Sequence, residues 1–169
     1  MTRQYISLSN KAYLQIDFAF AVLVFILVFF IFFSDFSNFS KSQNLEIEVI
    51  KHQALANDIC YLLTSTKGFP NNWNLNPTTA SFYGLLNSTI NKTIDPIKTN
   101  IYFQEDNYFL IQEKLQTSYL FSINLINISD SSIIYSLGSS SNFPNIIQSS
   151  SCYSNYLGST VLIFVEVWS

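Results

Sequence analysis

The chain has 169 residues, 49% of them hydrophobic and 17% aromatic but only 11% charged, under half the roughly 25% charge of an average soluble domain. A chain this apolar can bury enough surface to offset its ordering entropy, which excludes disorder. Eight basic against eleven acidic residues, net −3 with no basic stripe, argue against a nucleic-acid partner.

Residues 1–12 (MTRQYISLSNKA) form a short basic head, and Phe18 to Phe33 is a run of sixteen apolar residues without Gly, Pro or a polar side chain. Counted from Ala12, with Gln15 and Asp17 as polar interruptions, the segment makes about 33 Å of helix, enough to cross a hydrocarbon core of about 30 Å. A buried core helix would carry a polar stripe, and this segment has none. A secretory signal would end in a small-residue cleavage site, which Phe32-Phe33-Ser34-Asp35-Phe36 does not offer. The run reads as a retained membrane helix. Arg3, Lys11 and the amino terminus precede it and Asp35 follows it, so the amino terminus is expected in the cytoplasm and the bulk of the chain outside. That side of the membrane permits a disulfide. Asp17, at the start of the span, is either partnered, because a carboxylate in lipid is costly, or a solvated acid favoured by the helix dipole. The residues alone leave both open.

A basic leader ending Lys11-Ala12, then an aromatic residue, an acid at Asp17 and an unbroken apolar helix resemble the class III signal of type IV pilin-like proteins, especially archaeal ones. The resemblance implies cleavage by a prepilin peptidase between Ala12 and Tyr13, with Tyr13 the first mature residue. Asp17 then occupies mature position five, where the family usually has Glu. The implied role of Asp17 is to pair with the α-amino group of Tyr13 in a neighbouring subunit, setting the axial register between subunits. Two charges brought together in this way lower each other's desolvation cost. The family also implies an assembly ATPase, a platform membrane protein and other pilin-like subunits as partners.

Ser34 to Leu63 contains neither Pro nor Gly and can continue the helix. Leu55, Ile59, Leu62 and Leu63 fall at helical spacing, the Ser/Asn-rich stretch from Ser34 to Asn44 is a candidate kink, and Lys67-Gly68-Phe69-Pro70 supplies a stop. Thr66 to Trp73 (TKGFPNNW) resembles a T-x-G-x-P-x-N-W stretch that follows the first helix of archaeal pilin-like proteins. In physical terms its Gly and Pro turn the chain, and Trp73 reads as a packing residue rather than a ligand platform. Asn87 to Asn100 reads as a polar loop with a turn at Asp95-Pro96. Glu105 to Leu115 fits a short amphipathic helix. Ser118 to Ile128, Ser132 to Leu137 and Ser159 to Trp168 read as strands rich in β-branched and aromatic residues. Gly138 to Ser154, rich in Ser and Asn, reads as a mobile surface loop.

The expected fold is therefore α+β, a long N-terminal transmembrane helix packed against a small antiparallel sheet, pilin-like. The expected parts are a leader at 1–12, a helix at 13–63 with its membrane-spanning or filament-core portion at 13–33, and an outer domain at 64–169. Cys60 and Cys152 either form one disulfide or remain two small buried hydrophobes. Four N-x-S/T acceptors occur, at Asn38, Asn87, Asn91 and Asn127, close to the number chance predicts from this composition, so location alone makes Asn87 and Asn91 the candidate glycosylation sites. His52, the one imidazole, sits between Lys51 and Gln53 and reads as solvated. Glu46, Glu48, Glu105, Asp106 and Glu113 read as surface charges. No nucleophile motif, Gly-rich phosphate loop or metal-ligand set is present, so neither catalysis nor a cofactor is expected. Two functions compete: a subunit of a cell-surface filament, and a single-pass anchored binding domain that never polymerises.

Overall fold

The structure is a computed structural model describing residues 3–88, 90–138 and 147–169, with side chains described from residue 16 onward. The chain divides into two compact units, Met1–Ile47 and Glu48–Ser169. The first is helical throughout its described part and belongs to α1 (Arg3–Ser65). Helical hydrogen bonding continues through the Ser34–Asn44 stretch, so its Ser and Asn side chains do not break the backbone ladder. The helix also starts earlier than expected, within residues 1–12, because nothing from Arg3 to Tyr13 is a Gly or Pro that would stop it.

The second unit is α+β. After the last turns of α1 come two single-turn 3₁₀ segments, Trp73–Leu75 and Pro77–Thr79. A short hairpin follows, β1 (Leu86–Ser88) and β2 (Thr93–Ile94), then α2 (Pro96–Tyr102) and α3 (Tyr108–Lys114). Four more strands complete a single sheet: β3 (Leu120–Asn127), β4 (Ile133–Leu137), β5 (Ile147–Tyr156) and β6 (Ser159–Trp168). The strand order is β1-β2-β5-β6-β3-β4. The expected antiparallel sheet is in fact mixed, because β2 runs parallel to β5 through the Thr93–Asn155 pair.

Two further expectations are corrected. Asn87 to Asn100 is not a loop with a turn at Asp95-Pro96: it holds the hairpin and the start of α2. The Asp95 carboxylate accepts hydrogen bonds from the Ile97 and Lys98 amides, and Pro96 sits at the first helical position, where it lacks no needed donor. Apart from Gly138, the described part of the expected Gly138–Ser154 loop belongs to strand β5, which pairs along its whole length with β6 from Ile147↔Trp168 to Tyr156↔Ser159. Residues 139–146 of that expected loop lie outside the described residues.

Period-two alternation sends Phe121, Ile123 and Leu125 of β3 and Val161, Ile163, Val165 and Val167 of β6 to one face, where all are buried. The stripe His52, Ala56, Ile59, Cys60 and Leu63 on α1 is buried in the same unit, at the helical spacing that keeps one face inward. Together with Trp73, Tyr83, Leu85, Ile94, Tyr102 and Ile111 these side chains form the core.

Candidate functional site

Three regions carry the residues singled out from the sequence. The first is the amino-terminal part of α1. Ala12 and Tyr13 lie within the helix, their side chains outside the described set, and Asp17 is exposed one turn beyond Tyr13. From Ile16 to Phe33 no residue is buried; Phe18 is 71%, Phe25 70% and Phe32 70% exposed. Apolar side chains surround the helix without a polar stripe, and this is the one helix among the described residues that is long and apolar enough to cross a membrane.

The second region ties the end of α1 to the sheet. Cys60 and Cys152 are joined by a disulfide, with Cα atoms 6.0 Å apart. Small inward residues on β5, Ser150, Cys152 and Ser154, leave room for the helix to approach, and Gln53 donates from its amide to the Ser149 carbonyl at 3.2 Å. Two turns before Cys60 lies His52, which is not solvated as expected but fully buried. Its ring meets the Tyr119 ring edge-on at 4.3 Å between centroids, and neither ring nitrogen has a hydrogen-bond partner among the described residues. Glu48 Oε2 stands 3.9 Å from Nε2, too far to bond, and instead accepts from the Tyr119 hydroxyl at 2.8 Å. Burial lowers the His52 pKa more than the Glu48 charge raises it, so the ring stays neutral to lower pH than a free imidazole. The bond from Tyr119, followed by that from Lys51, holds the Glu48 carboxyl below the usual range.

The third region is the turn after α1. Trp73 is buried and its indole N–H is shared between the Lys67 and Gly84 carbonyls at 3.2 and 3.1 Å. Its ring packs edge-on against Tyr83. Gly68 has φ +75°, and a Cβ there would sit 2.5 Å from the indole, so the turn needs a residue without one. This geometry explains Gly and Trp at their spacing in Thr66–Trp73 and closes Trp73 to any ligand. Beside the turn opens a cleft of about 260 Å³ walled by Lys67, Asn71, Asn72, Asn74 and Leu86, with Asn87, Asp95 and Lys98 completing it. Lys98 is 95% buried, and its ammonium donates to the Lys67 carbonyl at 2.6 Å.

The fold thus brings Cys60 to Cys152, and Asn87 to Asp95 and Lys98. Asn91 is exposed in the β1–β2 turn, away from that cleft's walls. Asn127 lies in β3, where its side-chain oxygen accepts from the Ser129 amide, and Asn38 is exposed on α1. Sequence reasoning missed the cleft because its walls come from three separate segments, each polar for an evident local reason. Compared with known protein families, characterised proteins and solved structures, the chain matches none.

Proposed function

We propose that the chain is the precursor of a structural, pilin-like subunit of a type IV pilus-like surface filament. A prepilin peptidase removes residues 1–12 on the cytoplasmic side, and the outer α+β unit is carried outside the cell. The observation that carries this reading is the apolar run, exposed all the way round. At about 1.5–3 kcal/mol per large apolar side chain, leaving it in water forfeits on the order of 20–40 kcal/mol, more than the roughly 5–15 kcal/mol that holds a whole domain folded. Its surroundings are therefore lipid or other helices. Transfer from one to the other is inexpensive, since neighbouring helices are as apolar as acyl chains and the gain comes from close packing. Repeated head-to-tail addition of such subunits is heterologous and gives an open fibre.

Asp17 separates this reading from a solitary anchor. In the filament its carboxylate pairs with the Tyr13 α-amino group of a neighbour, whereas an anchor has no use for it. The test is Asp17→Leu, followed by fractionation of cells into membranes and sheared surface material. The filament reading predicts unchanged membrane levels and at least a tenfold loss from the sheared fraction. Equal recovery of both proteins from sheared material would sink the role given to Asp17.

A further inference from the structure

The cleft beside the Trp73 turn combines features that no part of the filament reading uses. Its volume of about 260 Å³ falls below the roughly 300–1,000 Å³ of drug-sized ligand pockets, so it suits one sugar ring rather than a nucleotide. Among the described residues Leu86 is its one apolar wall and no aromatic ring lines it, which disfavours a lipid chain or a stacked base. Asn71, Asn72, Asn74 and Asn87 offer amide donors and acceptors, the complement of sugar hydroxyls. Lys67 and Lys98 against Asp95 leave the walls net positive by one charge, on a chain whose net charge is −3.

Lys98 is the unusual member. Its ammonium has three protons, one of them spent on the Lys67 carbonyl, and it lies 6.0 Å from the centre of the Trp73 ring. No carboxylate lies within ion-pair distance of it among the described residues, and the residues outside that set include no Asp or Glu. Asp95, the acid in the same cleft, is occupied in bonding the Ile97 and Lys98 amides. Burial pushes the Lys98 ammonium below the usual lysine range, and the Asp95 charge offsets that only in part. A buried cation without an anion is costly unless something supplies one.

We infer that this cleft binds an acidic monosaccharide unit of the hexuronate class, its carboxylate meeting Lys98 and Lys67 and its hydroxyls meeting the asparagine amides. The site belongs to the folded outer unit and is independent of filament assembly. It also assigns Asn87 to the cleft wall, which leaves Asn91 of the two candidate glycosylation sites.

The full-length protein in detergent micelles, titrated with D-glucuronate, D-glucose and sodium sulfate and followed by NMR, tests this. The expected result is saturable glucuronate binding at least tenfold tighter than that of glucose or sulfate. Lys67→Gln and Asn72→Ala, both exposed positions that leave the Lys67 carbonyl in place, should each weaken it at least fivefold without moving the unfolding midpoint. Lys98→Met should abolish binding where it folds; the two surface variants keep the test decisive where it does not. No saturable glucuronate response, equal binding of glucose, tighter binding of sulfate, unaltered affinity in both surface variants, or a glycan on Asn87 in the native protein would each overturn the assignment.

Discussion

His52 shows how one buried polar residue ties stability to pH. Both ring nitrogens lack partners among the described residues, so each is a desolvated group that costs about 1–3 kcal/mol relative to water. Protonation adds a charge at the same place, with Glu48 and Lys51 nearby on α1 and Tyr119 on the facing segment. The folded pKa lies below the unfolded value of about 6.5, so the unfolded chain binds the proton more readily. Titration of His52 therefore leaves stability unchanged above about pH 6.5 and lowers it progressively as the pH falls below that. The unfolding midpoint of the full chain should drop between pH 7 and pH 5, and His52→Leu should remove that drop while leaving the midpoint at pH 7 equal or higher; a drop of the same size in both proteins contradicts this. The stripe at 52, 56, 59, 60 and 63 was open to a helical reading of the sequence. What concealed it was the pair of polar neighbours Lys51 and Gln53, which face solvent or the β5 backbone rather than the core.

Among the elements, β5 was hidden and β3, β4 and β6 were legible. The visible strands carry Val, Ile, Leu and Phe on the buried face, whereas β5 presents Ser150, Cys152 and Ser154 there, residues outside the β-branched and aromatic set that marks a strand. Tertiary pairing with the strongly apolar β6 overrides that preference. The turn between them, Leu157-Gly158, has both residues at positive φ, 49° and 87°, a two-residue hairpin geometry that favours Asn-Gly. Leu157 is 72% exposed, so it offers little packing in return for its backbone conformation. Leu157→Asn should stabilise the fold by about 0.5–1 kcal/mol, read by denaturant unfolding at constant m-value. The disulfide acts in the opposite direction when removed. Replacing Cys60 and Cys152 by Ser should cost about 2–5 kcal/mol, because the oxidised bond restricts a 92-residue separation in the unfolded chain; an unfolding midpoint indifferent to reductant would deny the bond that contribution.

For the whole molecule, composition alone made the membrane-length helix evident, since Phe18 to Phe33 contains no residue that would interrupt it. The α+β character of the second unit followed from three legible strands, but the parallel β2–β5 pairing did not, resting on a two-residue strand with no periodicity of its own. The central claim is that the apolar helix, freed of its leader, is shared among many copies in one polymer. Intact-mass and terminal-peptide analysis of material sheared from the cell surface tests that claim most directly. The expected result is polymeric material whose subunit begins at Tyr13. A chain found solely in the membrane with Met1 still attached, or one beginning beyond Phe33, would contradict it.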